Sequence, residues 1–225
     1  FESDNPRIFS ENVKMFENLI LFKDKYKKMI TFGSGAEFGV SPHNVYESDL
    51  NNHFTLNYYG LSKKYITNKV RIQNLPVIIL RLFGCFGKYE NESRFIKANI
   101  KRYKNKHPIV IHKNKWMDFI YIEDLIKIIE NIDVYFQNRT GDYNITYKEK
   151  NTLIEIANII NELDNYKVPI LIDNENLGES YTGQSSFKLD SWIGLKEGIK
   201  KMYNETLWEF LNLFPTISLN LSPSN

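Results

Sequence analysis

Pro76-Val77-Ile78-Ile79-Leu80-Arg81-Leu82-Phe83 is the stretch on which the fold turns. Apart from Arg81 it is a continuous apolar run. A strand with one face in water alternates apolar and polar residues. A run without alternation is expected where both faces are covered, which is the pattern of a buried parallel strand. Parallel neighbours need crossover connections, usually helices, and the flanking text supplies them. Upstream, residues 58–73 have helical composition, 28–32 (KMITF) read as a short strand ending at Gly33, and 40–57 read as a polar loop. Residues 10–25 read as an amphipathic helix capped by Ser10, with Val13, Phe16, Leu19 and Ile20 at helical spacing. Downstream, helices are expected over 93–105, 121–132, 152–163 and 194–214. Strands are expected over 107–112, 142–146 and 168–172, and a frayed tail over 215–225. Alternation of this kind predicts an α/β fold with helices on both faces of a parallel sheet.

The bulk numbers narrow the function classes. The chain has 225 residues, 42% hydrophobic and 25% charged, with a formal net charge of +2. Near-neutral charge argues against a nucleic-acid partner. The longest apolar stretch, 75–86, is interrupted by Pro76, Arg81 and Gly84 and is too short to span a bilayer, so no membrane association is expected. With Cys85 alone, no internal disulfide can form, which fits a reducing, cytoplasmic location. The apolar setting of Cys85 reads as packing, not as a nucleophile. His43, His53, His107 and His112 show no metal-ligand spacing, so no metal is expected. The text opens at Phe1 in what reads as a loop entering a helix, and the expectation is that a longer protein precedes it.

Tyr59-Gly60-Leu61-Ser62-Lys63 carries the chemistry. Residues four apart share one face of a helix. An ammonium there favours the phenolate of its neighbour, and such a tyrosine can exchange a proton with a hydroxyl or carbonyl. Spacing alone is weak: with 14 tyrosines, roughly one chance match is expected. Tyr65 and Lys69 are indeed a second match, on another face. A tyrosine lying along a solvated lysine is the bland reading of either pair.

Context separates them. YYGLSKKY (58–65) resembles the active-site helix of the extended short-chain dehydrogenase/reductase family, whose members act mainly on nucleotide sugars. Further segments follow in the family's order. TFGSGAEFG (31–39) is similar to the strand end that presents a catalytic Ser or Thr, here Ser34. LRLFGCFG (80–87) is similar to the strand and loop after that helix, and DFIYIEDL (118–125) to the segment that re-enters the nucleotide domain. Asn12 falls where the family keeps an asparagine that orders the helix. The likeness runs from about residue 5 to 212.

The resemblance implies a fold, a mechanism and a set of sites. The fold is an incomplete Rossmann-like doubly wound parallel sheet with a smaller C-terminal α/β substrate domain. Residues 1–87 and 118–146 form the nucleotide-binding portion, 88–117 and 147–214 the substrate portion, and 215–225 a tail. Ser34, Tyr59 and Lys63 are catalytic. Ser34 binds the reacting oxygen, Tyr59 is the general acid/base, and Lys63 tunes Tyr59 and holds the nicotinamide ribose. Phe32, Gly33, Tyr59, Lys63, Leu82 and Asn12 are expected at the cofactor, NADP or NAD. Gly35, Ala36, Gly84, Arg94, Asn99, Gly183 and Gln184 are expected at the nucleotide-sugar substrate, GDP-linked by preference. A homodimer is expected, as in relatives.

Departures from the family pattern sharpen the reaction. The glycine-rich phosphate loop is missing. Gly33, Gly35 and Gly39 follow a strand, but Ser41-Pro42 interrupts where a helix should open, so they are rejected as a phosphate cradle. The Asp-Glu pair of 4,6-dehydratases is replaced by Gly35 and Ala36, which argues against water elimination. The Cys and His of 3,5-epimerising relatives are replaced by Ala36 and Arg94, and arginine stays charged. The reading that remains is NAD(P)H-dependent reduction of a 4-keto (6-deoxy) nucleotide sugar at C4. A nucleotide-sugar C4 epimerase is the alternative, and a non-catalytic nucleotide-sugar-binding pseudoenzyme is the alternative of another class.

Overall fold

The computed structural model describes residues 4–137, 139–174, 176–188 and 192–213, with the side chains of 206–213 left aside; the expected tail over 215–225 lies outside the described residues. The central sheet is parallel, in the order β1 (Met29–Ser34), β2 (Val77–Leu82), β6 (Gly141–Asn144). Register pairs Ser34 with Leu82 and Arg81 with Asn144. The strand that decided the fold is therefore the middle one.

The unbroken apolar run of β2 has the expected cause. Val77 and Ile79 face Phe16, Ile20, Ile66 and Val70 on one side of the sheet. Ile78 and Leu80 face Ile120, Leu125, Ile128 and Phe136 on the other. All four β2 side chains are at most 1% exposed, and burying each contributes about 1.5–3 kcal/mol. The first layer is α1 (Pro6–Ile20) and α2 (Tyr58–Gln73). The second is α4 (Ile122–Glu130) and α5 (Ile132–Phe136). Two short parallel pairs complete the fold, β3 (Cys85–Phe86) with β5 (Ile120–Tyr121) and β4 (Ile109–Ile111) with β7 (Ile170–Ile172). A separate apolar cluster, including Ile100, Tyr103, Ile109, Ile156, Ile199 and Met202, joins α3 (Phe95–Lys104), α6 (Leu153–Asn161) and α7 (Gly194–Leu213) to β4. The architecture is Rossmann-like with additional C-terminal α/β elements.

Local chemistry corrects several expected boundaries. α1 starts at Pro6 because Asn5 caps it: Arg7 N–H donates to Asn5 Oδ1 at 2.9 Å, and proline suits the first helical position. Ser10, the expected cap, lies inside the helix and donates to the Arg7 carbonyl. α2 matches its expected span, opened by Asn57, whose Oδ1 accepts from Gly60 N–H, and closed by Asn74 in the left-handed region. The expected loop over 40–57 contains a 3-10 turn, Glu47–Asn52. Strand pairs β3 and β5 are too short to show a period, and α5 was not expected apart from α4. Among the described residues, no helix is long and apolar enough to cross a membrane.

Candidate active site

The site lies at the carboxyl end of the parallel strands, where open α/β sheets bind ligands. Ser34 closes β1 and is 9% exposed. The next four residues, Gly35–Phe38, make a single 3-10 turn. Ala36 N–H donates to Ser34 Oγ at 3.2 Å, and Ser34 N–H donates to Glu37 Oε1 at 2.8 Å. These bonds occupy the amides that a phosphate cradle would need free, which is the physical reason the Gly33-Gly35-Gly39 run is not one.

Glu37 is the residue that sequence reasoning missed behind Ser34. It is 0% exposed. Its Oε2 accepts from Arg81 at 2.8 Å and from Thr67 Oγ1 at 2.7 Å. Arg81, also 0% exposed, donates further to Asp142 Oδ2 and Asn144 Oδ1 and lies over the Phe38 ring. Burial alone would lower the Arg81 pKa, but Glu37 and Asp142 outweigh it and raise it. Arg81 thus fixes the turn that carries Ser34.

α2 brings Tyr59 and Lys63 to the same place. Gly60 permits it: a β-carbon there would lie 2.4 Å from the Ala36 carbonyl oxygen and from Thr55 Oγ1. Lys63 Nζ donates to the Phe32 carbonyl at 2.9 Å and lies 5.8 Å from the centre of the Tyr59 ring. Burial lowers the Lys63 pKa below that of an ordinary lysine, with Glu37 opposing. Tyr59 is 41% exposed and Phe32 43%, so both are open to solvent beside β1. Asn12 reaches from α1: its Nδ2 donates to Ser62 Oγ at 2.9 Å, and Ser62 donates to the Tyr59 carbonyl at 2.7 Å. That arrangement orders α2, and Asn12 lies at the helix–helix contact.

The remaining sequence candidates divide. Gly33, Leu82, Gly35 and Ala36 surround Ser34 on β1, its turn and the paired end of β2. Gly183 N–H donates to Asp118 Oδ2, and the Gln184 carbonyl accepts from Asn144. These bonds stitch residues 181–186 across the strand ends. The Gly84 carbonyl accepts from Ile120 N–H, which places Gly84 against the β5 backbone. The Asn99 side-chain amide is committed to Phe95 and to both backbone groups of Val110. It holds α3 to β4 instead of presenting itself to a ligand. A second residue outside the expected set, Tyr181, has its phenol beside Gly35 and in the electrostatic neighbourhood of Ser34, Tyr59 and Arg94. No signal in the sequence distinguishes it from the other 13 tyrosines.

Arg94, at the start of α3, lies 3.9 Å from Glu90 Oε2. Among the described residues, both Glu90 carboxylate oxygens are buried with no hydrogen-bond partner. Burial pushes Glu90 up to about 7, with Arg94 and Lys97 opposing, and burial likewise pushes neighbouring Cys85 up to about 11. The sign of the linkage follows. Folded Glu90 holds its proton more tightly than the unfolded residue does. Its contribution to stability is therefore complete below the unfolded pKa and is lost as pH rises through about 7. Glu90→Gln is expected to raise the melting temperature at pH 8 and to leave it close to wild type at pH 4, read by thermal scans at both. Equal shifts at the two pH values would refute the titration.

Comparison with known proteins follows the same lines. The UDP-N-acetylglucosamine 4-epimerase of Bacillus cereus superposes with a TM-score of 0.74 at 20% identity, over 92% of this chain and 77% of that one. The Bacillus cereus UDP-glucuronic acid 4-epimerase, solved with UDP-glucuronic acid and NAD, gives 0.71 at 20% identity over 87% and 68%. The dTDP-glucose 4,6-dehydratase of Bacillus anthracis, solved with NAD, gives 0.70 at 17% identity over 90% and 70%. Among curated proteins, the ADP-L-glycero-D-manno-heptose-6-epimerase of Brachyspira hyodysenteriae is 25% identical over 179 residues, 72% of this chain and 55% of that one. The chain spans about half the length of that relative. These proteins are epimerases and a dehydratase, not dedicated C4 reductases, and that overturns the reductase reading in favour of its epimerase alternative. The family model for NAD dependent epimerases and dehydratases matches residues 2–145, and the chain belongs to that family.

Proposed function

We propose that the chain carries the catalytic site of an NAD-dependent nucleotide-sugar epimerase, acting at C4. What supports the reading is the packing of α2, which carries Tyr59 and Lys63, against the end of β1 and the turn after Ser34: Lys63 donates to the Phe32 carbonyl, and Gly60 lies against the Ala36 carbonyl. The donor set fits the ribose end of a dinucleotide. One of the three ammonium protons of Lys63 goes to Phe32, which leaves two to donate to ribose hydroxyls. A bound NAD would supply hydride chemistry at the sugar carbon. The chain's own residues do the rest. Tyr59 takes the proton of the sugar hydroxyl and gives it back. Ser34 holds the same oxygen. Lys63 meets the charge left on the phenol and binds ribose hydroxyls. Dehydration is disfavoured because Glu37, the nearest acid to Ser34, is buried on Arg81.

The substrate is a nucleoside-diphosphate sugar. The relatives named above act on or bind UDP-, dTDP- and ADP-linked sugars, which supports a nucleotide other than the GDP first expected, and NAD over NADP. A cytoplasmic homodimer is part of the proposal, with the exposed Met15, Leu19 and Phe22 of the α1 end and Leu61 and Tyr65 of α2 as the contact. The test uses the full-length protein with NAD and a panel of UDP-, ADP- and GDP-linked sugars. Interconversion of two hydroxy-sugars with no net change in nicotinamide absorbance is expected. Stoichiometric consumption of reduced cofactor, or elimination of water, would overturn the reading.

A further inference from the structure

Tyr181 has no role in the mechanism just described, yet it occupies the centre of the site. Its ring packs edge-on against Phe83 at 5.5 Å, and Phe83 stacks on Phe38. Gly35 opens the path to Ser34: a β-carbon there would lie 2.9 Å from Cζ of Tyr181, the carbon that bears the hydroxyl. The backbone around it is fixed without help from the phenol. Tyr181 N–H donates to the Trp116 carbonyl at 2.9 Å, and Asp118 N–H donates to the Tyr181 carbonyl at 3.1 Å. Thr182 N–H donates to the Pro42 carbonyl, and Gly183 N–H to Asp118.

Ser34 has one proton to give. Its oxygen already accepts from Ala36 N–H, and the phenol of Tyr181 lies beside it. The mechanism requires that same hydroxyl to meet a sugar oxygen. We propose that Tyr181 is a substrate-positioning residue: its phenol engages Ser34 in the free protein, and it donates its own proton to the sugar when the reacting oxygen takes over Ser34. Burial pushes the phenol up to about 12, with the Ser34 bond and Arg94 opposing and Tyr59 and Glu37 adding to the rise. Tyr181 therefore keeps its proton at neutral pH and serves as a donor. Tyr59, on the open side, is left as the phenol that exchanges. The assignment rests on the epimerase reading for the identity of the ligand, a sugar hydroxyl or carbonyl attached to a nucleoside diphosphate.

Tyr181→Phe in the full-length protein tests it. The ring and the backbone bonds remain, so the melting temperature is expected to stay within about 1 °C of wild type. Calorimetric binding of UDP-N-acetylglucosamine, UDP-glucuronic acid and free UDP separates sugar from nucleotide. The variant is expected to bind whichever UDP-sugar the wild type prefers about tenfold more weakly and free UDP equally well, with KM rising more than kcat falls. Unchanged UDP-sugar affinity, or an equal loss for UDP, would overturn the proposal. So would a melting temperature lowered together with every affinity, which marks a purely structural tyrosine. Failure of the epimerase reading looks different: a wild-type protein that binds the UDP-sugar and never interconverts it.

Discussion

Arg81→Met is expected to lower the unfolding free energy by about 3–5 kcal/mol, the largest stability loss from a single change at the site. The methionine matches the length of the arginine stem, so packing changes little. The loss is electrostatic. Arg81 is the cation shared by Glu37 and Asp142. Asp142 keeps Arg71, which donates to it through two nitrogens at 2.6 and 2.7 Å. Glu37 keeps Thr67 and the Ser34 N–H, which satisfy its oxygens, and the charges of Lys63 and Lys64, which act on it without a direct ion pair. A buried carboxylate left so either stays ionised at high cost or takes up a proton. Adding Glu37→Gln to Arg81→Met is accordingly expected to restore part of the stability, a coupling that urea titrations of the two single variants and the double variant would measure. A loss below about 1 kcal/mol for Arg81→Met would mean that water reaches the pair. Because Glu37 also holds the backbone of Ser34, the same variant should lose activity faster than it loses structure.

That pairing shows where sequence reading stops. Val77 to Leu80 announced a strand covered on both faces, because burial on both sides leaves no polar position and the trace is visible in one line of text. Asn57 and Asn74 likewise bracket α2 in plain view. Tyr59 and Lys63 were legible because a helix of fixed pitch turns spacing into proximity. Ser34 was legible only by resemblance, since a serine after a strand has no pattern of its own. Glu37 was passed over: its burial depends on Arg81, a residue on another strand, and no local periodicity encodes that pairing. Asn99 misled for the converse reason. It sits on a basic helix that looks like an anion-binding face, but its amide answers the β4 backbone, a partner that only the folded chain reveals. Tyr181 lies in a polar stretch that reads as a mobile loop. The bonds from residues 181–186 to Trp116, Pro42, Val45 and Asn144 are all long-range, so the order of this segment was invisible from its composition.

Tyr59→Phe is expected to cut kcat by about 10²–10⁴-fold, the range over which general acid/base groups act, while leaving the fold intact. The second half of that expectation is structural. Tyr59 is 41% exposed, and the link between α1 and α2 runs through its carbonyl, which the variant retains. Loss of one exposed hydroxyl should move the melting temperature little. The first half follows from where the proton can go. Among the groups at the end of β1, Ser34 is a hydroxyl that accepts from Ala36 N–H, Tyr181 keeps its proton, and Glu37 is locked on Arg81. Tyr59 combines an exposed phenol with the Lys63 ammonium on the next turn of its helix, 5.8 Å from its ring centre. Lys63→Met should cost nearly as much in kcat and should in addition weaken NAD binding, because the same ammonium serves the phenol and the ribose. The two variants therefore separate by calorimetry: NAD affinity unchanged in Tyr59→Phe and reduced in Lys63→Met. A Tyr59→Phe enzyme that turns over within a factor of about three of wild type would move the proton transfer to another group, and with it the reason for placing the reaction at this end of the sheet.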